Sequence, residues 1–243
     1  MGKIVLVTGG SRGIGAATAI LLGKQGYTVC VNYAHNDTAA SKVVSEIKAA
    51  GGKAIAVKAD VSNEREVVRL FERIDHSLGR LTHLVNNAGI LFPQMTVSEM
   101  TAERINKVLT INVTGSFLCC REAVKRMTNG GSIVNVSSAA SRLGSPFEYV
   151  DYAASKGAID TLTKGLSLEV ADRNIRVNAV RPGFIYTDIH ADGGEPDRIE
   201  RVKESIPLRR GGSPEEVAAS IAWLLSDDAS YITGSFVDVA GGR

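Results

Sequence analysis

Tyr152 and Lys156 stand four residues apart in Asp151-Tyr-Ala-Ala-Ser-Lys-Gly157, a spacing that puts both side chains on one face of a helix. An ammonium held beside a tyrosine hydroxyl favours the phenolate, which turns an inert side chain into a usable acid or base. Lowering a tyrosine from its ordinary ~10 to about 7 takes roughly 4 kcal/mol. One positive charge at about 4 Å in an effective dielectric of ~20 supplies that much. The pair by itself is weak evidence, because most such spacings are surface residues of an amphipathic helix.

A second cluster, Thr8-Gly-Gly-Ser-Arg-Gly-Ile-Gly15, follows the apolar run Ile4-Val-Leu-Val7 near the start of the chain. Gly9, Gly13 and Gly15 space as GxxxGxG. Small residues between a strand and a helix permit a tight turn and close approach of a pyrophosphate, which the unpaired amides and positive dipole end of the helix then hold. A P-loop is excluded by the missing Gly-Lys-Ser/Thr ending. The end of the second strand reads Val31-Asn32-Tyr33, without the acidic residue that usually binds the 2′-hydroxyl of NAD. Arg12, in the glycine turn, can reach the same corner, where a charge-assisted bond of roughly 1.5–3 kcal/mol favours a 2′-phosphate by about tenfold to a hundredfold. NADP(H) is therefore the expected cofactor, with NAD(H) as the alternative if Arg12 is solvated and Asn32 is indifferent to both.

These residues need a scaffold, and short β-branched runs alternating with amphipathic helical segments supply one. Strands are expected at 3–7, 27–32, 54–58, 82–86, 132–137, 175–180 and 235–239, and helices at 14–25, 38–50, 63–78, 99–127, 152–171 and 214–226. This is the pattern of βαβ units, predicting one α/β domain over 1–243: a Rossmann-type doubly wound sheet of seven mostly parallel strands with helices on both faces. The polar stretch Phe184 to Arg210 breaks the rhythm after a strand's carboxyl end, where open α/β sheets bind ligands. It is expected to be a substrate lid rather than an ordinary surface excursion.

Composition narrows the class further. Among 243 residues the net charge is only +2, with 28 basic residues scattered rather than massed, so a nucleic-acid surface is not expected. No run reaches the ~18 apolar residues of a membrane span. The chain passes from Met1-Gly-Lys3 straight into a strand, so no signal peptide and a cytoplasmic location are expected. Cys30, Cys119 and Cys120 form neither a disulfide framework nor a metal spacing, and the dispersed His35, His76, His83 and His190 predict no metal site.

The ordered set Thr8 to Gly15, Asp60-Val61, Asn86-Asn-Ala-Gly89, Asn112, Ser137-Ser138, Tyr152-Ala-Ala-Ser-Lys156 and Pro182-Gly-Phe-Ile-Tyr-Thr187 resembles the short-chain dehydrogenase/reductase family, over Lys3 to Gly242. The resemblance implies a catalytic tetrad of Asn112, Ser138, Tyr152 and Lys156. Tyr152 would exchange a proton with the substrate oxygen, Ser138 polarise it, Lys156 lower the tyrosine pKa and bind the nicotinamide ribose, and Asn112 support a water relay. It also implies cofactor contacts from Gly9, Ser11, Arg12, Gly13, Ile14, Gly15, Asn32 and Tyr33 at the phosphate and ribose end. Asp60 and Val61 would hold the adenine, Asn87, Ala88 and Gly89 lie under the adenosine ribose, Pro182 and Gly183 contact the cofactor, and Ile185 with Thr187 clamp the carboxamide. The oxidised nicotinamide would add a second positive charge beside Tyr152. Ser137 remains a competitor for the serine role, and Asn112 for a role in capping a helix kink. Relatives also imply a homotetramer, built on the apolar faces of 99–127 and 152–171 and on the last strand.

From Ser138 to Tyr152 is fourteen positions, where the family usually has about thirteen, and the extra residue is expected within Ser145-Pro-Phe-Glu-Tyr-Val-Asp151. Within the family, Asn32-Tyr33, Ser205-Ile-Pro-Leu208 and Ala229-Ser-Tyr-Ile-Thr-Gly234 look most like bacterial glucose 1-dehydrogenase and ribitol dehydrogenase. Glu148, Tyr149, Asp151, His190 and Asp192 are the candidates to hydrogen-bond such a small polyhydroxylated substrate. The rival is 3-oxoacyl-carrier-protein reductase, with Arg126 and Arg173 docking an acidic carrier. A non-catalytic NADP-sensing scaffold is the remaining alternative, against which the complete tetrad argues.

Overall fold

The computed structural model describes residues 2–243. Seven strands, β1 (Ile4–Val7), β2 (Thr28–Tyr33), β3 (Lys53–Lys58), β4 (His83–Asn86), β5 (Gly131–Val136), β6 (Ile175–Pro182) and β7 (Phe236–Val239), form one sheet in the order β3-β2-β1-β4-β5-β6-β7. Every pairing is parallel. All four residues of β1 are buried, as a strand covered on both faces requires.

The helices are α1 (Gly13–Lys24), α2 (Asp37–Ala49), α3 (Glu64–Ser77), α4 (Ala102–Leu109), α5 (Gly115–Arg126), α6 (Ala140–Leu143), α7 (Val150–Glu169), α8 (Ile189–Asp192), α9 (Arg198–Val202) and α10 (Pro214–Leu225). Local chemistry sets several starts. The Asn36 side chain accepts from the Ala39 amide at 2.9 Å, and Ser213 and Glu216 form a reciprocal capping box behind Pro214. On α3 the buried residues Val67, Leu70, Phe71 and Ile74 make an i, i+3, i+4, i+7 stripe. They pack with Cys119, Cys120 and Ile159 on one sheet face, while Leu22, Ile47, Val217 and Ile221 fill the other.

Strand and helix bounds fall within a residue or two of expectation, with one exception. The helix expected over 99–127 is a short 3₁₀ turn at Val97–Glu99, then α4, a π turn over Thr110–Thr114, and α5. The π turn lies at Asn112, whose side chain binds both main-chain groups of Ile90, and it re-aims the helix past Val61. A Cβ on Gly115 would stand 3.0 Å from Val61 Cγ2 and 3.1 Å from its carbonyl, so the two segments meet backbone to side chain. Periodicity alone does not reveal such an interruption, because the apolar face continues through it. The 184–210 segment is not structureless: it carries α8, α9 and a 3₁₀ turn at Lys203–Ser205.

Candidate active site

The carboxyl ends of β1 and β4 are neighbours from which the chain leaves in opposite directions, the switch point where open sheets bind ligands. Here the turn after β1 is locked to the turn after β4. The Thr8 hydroxyl accepts from the Asn87 and Ala88 amides at 3.0 and 3.1 Å, and Asn87 Nδ2 donates to the Thr8 and Gly9 carbonyls, each at 3.0 Å. Asn87, expected under the ribose, is therefore engaged as the strut of the turn. Gly9 and Gly13 have φ of +60° and +53°. A Cβ on Gly15 would lie 2.3 Å from the Gly9 carbonyl oxygen and 2.5 Å from Asn87 Nδ2. Arg12 caps α1 without any side-chain bond to the first amides, which leaves those donors for a ligand. A cradle of this shape, opening into a cavity of about 650 Å³ that runs from Ser11 and Ile14 to Tyr152, fits a dinucleotide pyrophosphate.

At the expected ribose and adenine end, three side chains have structural tasks. Asn32 is buried, donates to the Val57 and Ala59 carbonyls at 3.3 and 3.0 Å, and accepts from the Gly9 amide at 3.4 Å. Tyr33 donates to Asp37 at 2.7 Å. Asp60 accepts from the Ser62 amide and hydroxyl at 2.9 and 2.7 Å while still lining the cavity beside Val61. Arg12, expected to turn toward a 2′-phosphate, is ion-paired with Asp192 of α8. The glycine turn and the 184–210 segment thus clasp each other across the cleft, and Thr187 adds a contact, its Cγ2 standing 3.2 Å from where a Gly13 Cβ would be.

Tyr152, in the first turn of α7, lines the cavity together with Ser138, and burial pushes its hydroxyl up to about 12, with Ser138 pulling the other way. Ser137 is not the partner: its hydroxyl donates to the Lys156 carbonyl at 3.2 Å. The Ser138 hydroxyl also accepts from the Ala140 amide at 3.1 Å. Lys156 donates to the Val136 carbonyl at 2.8 Å, with Nζ 5.5 Å from the centre of the Tyr152 ring. Burial holds the amine down to about 8, with the Asp160 carboxylate pulling the other way. Desolvation of the phenolate dominates at Tyr152, and the neighbouring Lys156 amine is itself engaged with a carbonyl. Asn112 is buried and hydrogen-bonds to neither residue. It accepts from the Ile90 amide at 2.8 Å and donates to the Ile90 carbonyl and Ser155 hydroxyl at 2.9 and 3.0 Å, splinting the turn that carries Gly89 to α7.

Two of the five polar substrate candidates line the cavity, Tyr149 and His190. The three carboxylates are held in ion pairs: Asp151 with Arg104, Glu148 with Arg198 and Arg201, Asp192 with Arg12. Each acid has an arginine within reach only after folding, so local polarity misjudged them. Ile185 is buried, its carbonyl 3.0 Å from His190 Nε2, and Gly183 packs on Ala240, whose Cα a Gly183 Cβ would meet at 2.9 Å. Not singled out by the sequence are Arg198, inside the expected lid, Phe184, inside the Pro182 to Thr187 motif, and Arg243, which also line the cavity. Distant turns bring the two arginines to one ring.

A cleft with a pyrophosphate cradle at one end and a half-buried tyrosine and serine at the other is that of a nicotinamide-dependent oxidoreductase. Comparison makes the class definite: the chain belongs to the short-chain dehydrogenase/reductase family, with a family profile described as enoyl-(acyl carrier protein) reductase matching residues 9–243. It is 67% identical to the uncharacterized oxidoreductase YgfF of Escherichia coli (strain K12), over 99% of each chain. It is 44% identical to the 3-oxoacyl-[acyl-carrier-protein] reductase of Synechocystis sp. (strain ATCC 27184 / PCC 6803 / Kazusa), over 99% of this chain and 96% of that one. Glucose 1-dehydrogenase 2 of Bacillus subtilis (strain 168) is 39% identical over 99% of this chain and 94% of that one.

Proposed function

We propose that the protein moves a hydride between NADP(H) and a carbonyl or secondary alcohol of a small polar substrate of the sugar or polyol type, with Tyr152 as acid and base. The observation that carries this is that Tyr152, Ser138 and Lys156 converge on the cavity that begins at the glycine cradle. Bound cofactor supplies the hydride and, when oxidised, a positive charge. The phenol is protonated at neutral pH and so is poised to give its proton to a developing alkoxide. Ser138 orients the substrate oxygen. Lys156, a buried amine near its own titration range, stands ready to share the proton and to hold the nicotinamide ribose. Asn112 positions α7 and the Gly89 turn.

The preference for NADP(H) rests on the lack of a free carboxylate at the end of β2: Asn32 is engaged, and Asp37 is tied to Tyr33 and Lys58. His35 and Arg12 line that end instead. The 184–210 segment is a lid in this reading, Arg12–Asp192 being its clasp. The enzyme works in the cytoplasm, a proposal to which the three buried free thiols are suited. Assembly is tetrameric, supported by exposed Leu109, Phe117 and Leu168 on α4, α5 and α7, and a monomer peak at micromolar concentration would defeat it.

The 44% identical reductase keeps acyl-carrier chemistry as a second reading. Against it, Arg126 is bound to Asp75 at 2.7 Å and to Glu122 at 2.8 Å, leaving little free charge for an acidic carrier. Nicotinamide absorbance with NADPH and NADH, in both directions, tests the proposal across sugars, polyols, small diketones and an acetoacetyl thioester. Turnover of sugars or polyols, lost in Tyr152→Phe, supports the reading. Thioester turnover lost in Arg126→Glu and Arg173→Glu replaces it with the second, and tight NADPH binding without turnover of any compound points to a sensor.

A further inference from the structure

Arg198 is the unusual residue of the cavity. It is 6% exposed, on a five-residue helix of the 184–210 segment. Its guanidinium carbon lies 4.8 Å from the centre of the Tyr149 ring and 5.4 Å from that of Phe184. Nη2 donates to Glu148. Nη1 is shut off from solvent and has no hydrogen-bond partner among the described residues, with Glu195 Oε2 standing off at 3.8 Å. A second guanidinium, Arg243, lies 5.0 Å from the same Phe184 ring and lines the same cavity. Both arginines therefore share a cavity with Tyr152.

A buried guanidinium N–H left unbonded is costly, and native interiors rarely keep one without a reason. Arginine carries five donors in a planar fork matched to carboxylates. Glu148 uses one arm of the Arg198 fork, and the aromatic rings hold its plane. Glu148 belongs to the segment 145–151, where the extra residue is expected, and the non-glycine residues Ser145 and Phe147 there have φ of +43° and +64°. The unusual loop is thus the one that sets the arginine.

We propose that Arg198, assisted by Arg243, anchors a carboxylate on the substrate, so that the physiological substrate is an oxo acid or its hydroxy acid. This rests on the oxidoreductase reading of the Tyr152 site and narrows its substrate class. The carboxylate is unchanged in the reaction. In reduction the carbonyl carbon gains a hydride from NADPH and its oxygen gains a proton through Tyr152, leaving NADP⁺ and the hydroxy acid.

The test uses pairs that differ mainly in charge: acetoacetate against methyl acetoacetate, and glucuronate against glucose. For wild type, Arg198→Met and Arg198→Lys, kcat/KM is measured with NADPH or NADP⁺, together with the melting temperature of the NADPH-bound protein in each compound. The wild type is expected to favour the acid of at least one pair by about tenfold to a hundredfold, the range of a charge-assisted bond. Arg198→Met is expected to bring that ratio near one. If Arg198→Met does not fold, Arg198→Lys keeps a charge beside Glu148 and is still expected to lower the ratio, because a compact ammonium lacks the planar fork that can reach Glu148 and a substrate carboxylate in opposite directions. Equal handling of acid and neutral compound by wild type, or a ratio unchanged in the variants, overturns the inference and leaves the oxidoreductase reading standing. Should no compound turn over, a melting-temperature rise with the acids alone, lost in the variants, upholds the anchor while counting against the redox reading. No rise with either acid overturns the anchor.

Discussion

The Lys156 ammonium lies 5.5 Å from the centre of the Tyr152 ring and donates to the Val136 carbonyl at 2.8 Å, so the two residues are neighbours without a direct bond between their polar groups. Tyr152→Phe removes the proton donor and leaves the ring packing intact. It is expected to lower kcat by about 10²–10⁴-fold, the usual weight of general acid–base catalysis, with NADPH affinity and melting temperature nearly unchanged. Stopped-flow turnover and NADPH fluorescence titration check this together.

Gly15 tests the cradle. A methyl group there would press on the Gly9 carbonyl oxygen and Asn87 Nδ2 at 2.3 and 2.5 Å, and neither can yield without opening the turn. Gly15→Ala is expected to cost about 1–3 kcal/mol of stability and to weaken NADPH binding at least tenfold, measured by urea unfolding and fluorescence titration.

Arg104 and Asp151 test the support of α7. Arg104 Nε donates to Asp151 at 2.8 Å with side-chain exposures of 10% and 1%, and Asp151 also accepts from the Tyr152 amide at 2.9 Å. Removing only the arginine strands a buried carboxylate, so Arg104→Met is expected to lose roughly 3–5 kcal/mol. The double variant Arg104→Met with Asp151→Asn is expected to regain much of that loss, as read from urea midpoints.

His83 gives a pH dependence. Buried on β4 against the Tyr27 ring, it is held down to about 4 by burial, helped by Lys3 and Arg176. Its folded pKa lies below the unfolded value of 6.5, so between these pH values the unfolded chain binds the extra proton. Stability from this residue is present above about 6.5 and is lost as pH falls toward 4, by roughly 3 kcal/mol in all. Urea unfolding at pH 7 and pH 4.5 should show the decline, and His83→Gln should flatten it.

The fold was legible because each element carries its own signal. The β1 run is apolar throughout, α3 shows its stripe, and Gly9, Gly13 and Gly15 mark a turn whose backbone needs them. That Tyr152, Lys156 and Ser138 line one cavity was legible because motif spacing on one helix and one strand end is local. What escaped depends on side chains meeting across the chain. Arg12 turns to Asp192, Asp151 to Arg104 and Glu148 to Arg198, over separations of 180, 47 and 50 residues. Local composition shows an acid as polar, and only packing decides whether it faces substrate or an arginine. Desolvation, which sets the tyrosine and lysine pKa values, likewise depends on the tertiary structure. The amino-acid order alone therefore determined the βαβ scaffold and the chemical groups at its switch point. The tertiary structure decided which polar groups remain free inside the cavity, because burial and ion pairing depend on distances between segments far apart along the chain.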